Sequence, residues 1–172
     1  MMMKINKDSF NSWKEYYWEY QYQLAEKYYI PFLKNSNIKL ENKKILDVGC
    51  GDGGFISAFT KHSTALYGLE IKDFDWPTEI SSKVVFLVGD LTVMTELNAA
   101  MIGRDLRLII LRDVIEHIPN NEKLNFLKKL KVFANEKTTF LITFPPFYSP
   151  FGLHQQVFCN SILKYIPYLS IL

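Results

Sequence analysis

Cysteine is almost absent from this chain: Cys50 and Cys159 are the only two in 172 residues. Two distant thiols build neither a disulfide framework nor a thiolate metal site, so a reduced, cytoplasmic compartment is the expected setting. No apolar run is long enough to cross a bilayer. The stretch from Met1 to Ser12 is mostly polar after three methionines and carries no signal-peptide core. Charge of one sign is lacking as well. Twenty basic against 18 acidic residues leave a net +2, and the basic ones are dispersed, which argues against a dedicated nucleic-acid binder. Repeats and low-complexity tracts are missing too. Apolar residues, by contrast, make up 48% of the chain, enough for one globular domain with a sizeable core.

Residues Asp8 to Tyr29 read as a helix capped near Asp8 or Ser9, which Pro31 ends or redirects. It is rich in aromatics, among them Trp13, Tyr17, Trp18 and Tyr22. Two readings stand: packing on the main body, or an aromatic-walled lid over a ligand. Residues 1–40 are accordingly read as a helical lid and 41–172 as the main domain. After Glu41, apolar runs alternate with helical stretches. Strands are predicted at Lys44–Val48, Thr64–Leu69, Val84–Val88, Leu106–Leu111 and Thr138–Phe144. Helices are predicted at Gly54–His62, Thr92–Met101 and Asn121–Phe133; Pro77 to Ser82 is too short and polar to assign. Continuous Val/Ile/Leu strands separated by helices indicate an α/β fold with a parallel sheet covered on both faces.

Four elements carry chemistry. The first is Asp47-Val-Gly-Cys-Gly-Asp-Gly-Gly54, directly after an apolar strand. Alternate glycines allow positive φ and bring backbone close to a ligand, at the opening of a helix whose free N–H groups face it. The absence of a following Gly-Lys-Ser/Thr disfavours a P-loop. The second is Glu70, at the tip of the next strand, where a carboxylate can accept hydrogen bonds from both hydroxyls of a ribose. The third is Asp90-Leu91, which could meet an adenine, although an aspartate there could equally cap a helix. The fourth is Arg112-Asp-Val-Ile-Glu-His117, after the strand expected beside the glycine-bearing one. His117 could exchange a proton near neutral pH or serve only to orient its surroundings.

The order and spacing of these elements over about residues 40–150 resemble the class I S-adenosylmethionine-dependent methyltransferases. They are most similar to the small-molecule branch with an Asp-x-x-Glu-His segment after strand four, as in quinone-biosynthesis methyltransferases. The resemblance implies a Rossmann-like three-layer sandwich, S-adenosyl-L-methionine as methyl donor, S-adenosyl-L-homocysteine as product and a small-molecule acceptor. By position it implies that Asp47, Gly49, Cys50, Gly51 and Gly53 line the methionine half of the cofactor. Glu70 would hold the ribose, Ile71, Asp90 and Leu91 the adenine, and Arg112 the amino-acid end. The family often has an acid where Arg107 stands, at the end of strand four that points away from the site.

The segment Phe144-Pro-Pro-Phe-Tyr-Ser-Pro-Phe-Gly-Leu-His154 mixes stiff prolines with aromatics. It is either a packed loop or a substrate wall in which His154 or Tyr148 meets the acceptor. Its Pro-Pro-Phe run lacks the amide or acid that the Asn/Asp-Pro-Pro-Tyr motif requires and follows the wrong strand, so that motif is rejected. The chain ends at Leu172, 28 residues after Phe144. The fold is therefore expected to lack the last two strands, leaving an open sheet edge or an apolar C-terminus through which a homodimer could form. The rival readings are an NAD-dependent oxidoreductase and a cofactor-binding module without turnover. Gly-x-Gly-x-Gly in place of Gly-x-Gly-x-x-Gly, the preceding Asp47 and the Glu-His pair argue against NAD.

Overall fold

Among the described residues, five parallel strands form one sheet: β1 (Ile45–Val48), β2 (Leu66–Glu70), β3 (Val84–Val88), β4 (Leu108–Arg112) and β5 (Thr139–Thr143). Their order is β3-β2-β1-β4-β5. The computed structural model describes residues 5–93, 102–103 and 105–144. Each strand falls within two residues of its expected bounds, because short, mostly apolar runs suit a parallel sheet whose central strands β1 and β4 are buried on both faces. Val48 pairs with Leu69 on one side and Leu111 on the other, so the C-terminal ends of the three central strands are level.

Alternation along the strands divides the core in two. Ile45, Leu66, Leu108 and Ile110 face one way, onto Phe55, Ile56, Phe59 and Leu33. Leu46, Val48, Ile109 and Leu111 face the other, onto Phe126, Leu130 and Phe133. Side chains of period two on strands, with helices covering each face, give the three layers. Burying a side chain such as Phe59, which is wholly inaccessible, contributes about 1.5–3 kcal/mol. On β5 the apolar side chains of Phe140 and Ile142 remain exposed.

The N-terminal helix differs from expectation. Asp8 and Ser9 lie in a short 3-10 turn, and α1 (Trp13–Leu24) begins at Ser12. Ser12 Oγ accepts the Glu15 N–H at 3.1 Å, while the Glu15 carboxylate accepts the Asn11 N–H at 3.0 Å. This reciprocal capping decides the start. Nor does Pro31 end the helical path. A widened π turn, Ala25–Tyr29, carries it into α2 (Ile30–Asn35), with the Ile30 N–H donating to the Ala25 carbonyl. Pro31 has no N–H to give and needs room against the preceding turn, which the wider π turn supplies.

The glycine turn opens into α3 (Gly54–Ser57), which tightens into a 3-10 turn, Ala58–Lys61, rather than running on to His62 as one helix. Residues 78–81, left unassigned from sequence, form α4 (Thr78–Ser81). The last described helix, α5, spans Lys123–Lys131. The expected helix over 92–101 falls largely outside the described residues.

Candidate functional site

In an open α/β sheet, ligands bind beyond the carboxyl ends of the strands, where the strand order reverses. Here that point lies between β1 and β4. Two cavities meet there, sharing Gly49, Asp113 and His117. The first, of 490 Å³, extends over Glu70 and Ile71 at the end of β2 and Asp90 and Leu91 after β3. The second, of 310 Å³, lies over Asp47, Cys50, Gly51 and Asp52, with Arg112 and two α1 residues, Tyr17 and Gln21, on its far wall. Together they form one elongated cleft with two lobes.

The glycine turn shapes the middle of the cleft. Gly49 has φ 73°, and a Cβ there would stand 2.5 Å from a Val114 methyl. Gly51 has φ 54°, yet a Cβ there would meet no atom within 4 Å. Backbone conformation favours glycine at both positions, but only Gly51 opens onto empty space. The turn is held by its neighbours. The Gly51 N–H donates to Glu70 Oε2 at 3.0 Å, and the Trp76 indole N–H donates to the Gly51 carbonyl at 2.9 Å. Trp76 is fixed in turn by stacking on Phe86, with centroids 4.5 Å apart.

Carboxylates dominate the charge. Asp47 is buried. That burial, reinforced by the Glu70 charge and only partly offset by Arg112, pushes its carboxyl up to about 7. The Cys50 thiol is pushed far up by burial and by the neighbouring carboxylates, which leaves it an inert apolar group. Asp52 is raised mainly by burial, although the Gly54 N–H and Lys14 work against that. Glu70 spends one hydrogen bond per oxygen on backbone, at Gly51 and at Ile71 (2.8 Å). A carboxylate has about four acceptor sites, so capacity for a ligand remains.

Arg112 is the cleft's cation. Its guanidinium donates to Gln21 Oε1 at 2.6 Å and lies over the Phe55 ring at 4.1 Å. Its Nε is buried with no hydrogen-bond partner among the described residues. Asp90 Oδ1 accepts both the Thr92 N–H and the Thr92 hydroxyl at 2.7 Å. Asp90 thus caps a turn while also lining the first lobe. His117 ends a 3-10 turn, Ile115–His117, at the junction of the lobes. His154 and the 145–156 loop lie outside the described residues. Arg107 stands at the opposite end of β4, where its guanidinium donates to the Lys137 carbonyl.

Sequence reasoning did not single out Tyr17, Gln21, Trp76 or Asp113 as individual site residues. The first two were visible only as part of an aromatic helix. Trp76 reaches the turn across 25 residues of chain, which no local pattern reports. Asp113 has φ 53°, a left-handed conformation that L side chains rarely adopt.

A glycine turn after β1, a carboxylate ending β2 and a cleft at the reversal of strand order define a Rossmann-like nucleoside-binding domain. A family model described as a methyltransferase domain matches residues 17–155. The chain belongs to this methyltransferase family, whose methyl donor is S-adenosyl-L-methionine. No curated protein sequence matches it. Among solved structures, it is similar to a TehB-like S-adenosylmethionine-dependent methyltransferase from Corynebacterium glutamicum (20% identity, 74% of this chain and 70% of that one, TM-score 0.56). It is also similar to the methyltransferase domain of bacterial CtHen1 (18%, 74% and 68%, 0.53). A third is magnesium protoporphyrin IX methyltransferase from Synechocystis, with bound S-adenosylhomocysteine (18%, 78% and 59%, 0.51). These likenesses establish the fold; the chain spans 59–70% of the length of these three structures.

Proposed function

We propose that the two-lobed cleft binds S-adenosyl-L-methionine and that the chain transfers its methyl group to a small-molecule acceptor. The observation that carries this reading is the shape and charge of the cleft. One lobe is bordered by Glu70, Ile71, Asp90 and Leu91, and the other by Asp47, Gly51 and Arg112. They join over the glycine turn. An adenosine fits the first lobe, with its ribose at Glu70. The amino-acid end fits the second, where the open space at Gly51 admits ligand against backbone and the Arg112 guanidinium forms part of the wall.

When bound, the cofactor supplies an electrophilic methyl carbon on a positively charged sulfur. The protein's part is to bind, orient and keep water away. Asp47, buried and half ionised near neutrality, favours positive charge in the second lobe. Arg112 favours a carboxylate. Tyr17 and Gln21 place α1 as a cover over the second lobe. Asp113 and His117 stand where the lobes meet, and His117 takes the acceptor's proton when the acceptor carries one. Positioning of two reactants contributes up to about 7–11 kcal/mol in favourable cases, so no covalent nucleophile is required.

Calorimetric titration tests the reading. S-adenosylhomocysteine is expected to bind and NAD not to, and Glu70→Ala is expected to weaken S-adenosylhomocysteine at least tenfold. Preferential binding of NAD, or wild-type affinity in Glu70→Ala, would overturn the assignment. Incubation with labelled S-adenosylmethionine and phenol, quinone-precursor, sugar or lipid acceptors separates an enzyme from a cofactor-binding module.

A further inference from the structure

Outside the cleft, a cavity of 500 Å³ opens between α1 and the loop that follows β2. Its walls are aromatic and aliphatic: Phe10 and Trp18 from the N-terminal segment, Phe74, and Pro77 and Ile80 at α4. Its rim is acidic. Glu15, Glu19 and Asp52 border it, against one cation, Lys14. Lys14 Nζ donates to the Phe74 carbonyl at 3.1 Å and keeps its charge, so among the described residues three carboxylates stand against one ammonium. The cavity is therefore apolar inside and negative at its edge.

We infer that this cavity binds an apolar organic cation, such as a quaternary ammonium carried on an aromatic or aliphatic body. The negative faces of aromatic rings attract a weakly hydrated cation, and carboxylates nearby add to that attraction. An anion is repelled by the rim. A neutral apolar molecule gains the walls but not the charge, and a strongly hydrated cation gains the charge but not the walls. Asp52 gives a second reason. It lines both this cavity and the second lobe of the cleft, and burial holds its carboxyl above the ordinary value. A cation in the cavity stabilises its ionised form. The inference does not depend on the cleft holding S-adenosylmethionine.

The test is calorimetric titration of the full chain with benzyltrimethylammonium, benzyl alcohol and benzenesulfonate, with and without saturating S-adenosylhomocysteine. Benzyltrimethylammonium is expected to bind at least tenfold tighter than benzyl alcohol, and benzenesulfonate not to bind. S-adenosylhomocysteine is expected not to displace the cation; full displacement would place the cation in the cleft and overturn the inference. Phe74→Ala is expected to weaken the cation at least fivefold and Glu19→Gln at least threefold. Thermal melts and S-adenosylhomocysteine titrations of both variants show whether fold and cleft survive. Equal affinity for the cation and the alcohol, or an unchanged affinity in folded Phe74→Ala, refutes the site.

Discussion

Replacing Asp47 by asparagine should make the protein more stable in mild alkali and worse at holding its cofactor. The carboxyl is buried and rests at about 7 instead of 3.8. Such a displacement corresponds to about 4 kcal/mol acting against the ionised form in the folded chain. The sign follows from where the proton sits. Between pH 4 and 7 the folded chain keeps it and the unfolded chain has lost it. Asp47's contribution to stability is therefore full below pH 4 and is lost as pH rises through 7. Asparagine keeps the shape and removes the ionisation. Its advantage over the wild type should be near zero at pH 4 and should grow to its maximum by pH 8. The Arg112 attraction is already contained in that net displacement; the gain falls short of the ceiling of about 4 kcal/mol where the new amide leaves a buried N–H unpaired. A gain of about 2 kcal/mol corresponds to roughly 4–8 °C in Tm for a chain of this size. Thermal melts of both proteins from pH 4 to 8 measure it. S-adenosylhomocysteine affinity at pH 8 should fall at least tenfold in the variant, because a charge-assisted contact is lost. A stability difference that does not widen with pH refutes the reasoning, as does unchanged affinity.

Gly51→Val is expected to lower S-adenosylhomocysteine affinity at least tenfold and stability by about 1–2 kcal/mol, since it forces a branched residue to φ 54° and fills the cradle; titration and denaturant melts separate the two effects. His117→Gln should leave S-adenosylhomocysteine affinity within twofold while reducing turnover at least tenfold with an acceptor that carries a proton, a split that steady-state kinetics resolves. Ser12→Ala should cost about 1 kcal/mol by removing the α1 cap, read by denaturant unfolding. S-adenosylhomocysteine binding should release protons near pH 7 as Asp47 ionises, and affinity should rise from pH 6 to 8; calorimetry in buffers of different ionisation enthalpy counts the protons.

The sheet was legible because its strands read as short apolar runs, buried on both faces at the central β1 and β4 and part-exposed at the edges; Val84–Val88, an edge strand, matches residue for residue. The glycine turn and Glu70 were legible because backbone conformation and strand-end position leave local marks. What escaped depends on distance. The Gln21–Arg112 bond joins residues 91 apart. The start of α1 was misplaced because Asp8, Ser9 and Ser12 are all chemically able to cap, and the reciprocal bonds of Ser12 and Glu15 decide among them. Dispersal of basic residues along the chain also did not survive folding. Lys39, Lys43, Lys44, Arg107 and Lys137 border a single cavity at the amino ends of the strands, because the loops that carry them all return to that end of the sheet.

The π turn at Ala25–Tyr29 sets the rotational phase of everything before it. One residue more or fewer turns a helix by about 100°. Deleting a single residue from this turn would leave Ile30 and Leu33 seated in the core while swinging Tyr17 and Gln21 away from the cleft. The helix would still form, yet Arg112 would face solvent in place of an amide. The composition of the cleft wall is thus governed by the count of residues in one turn as much as by their identity.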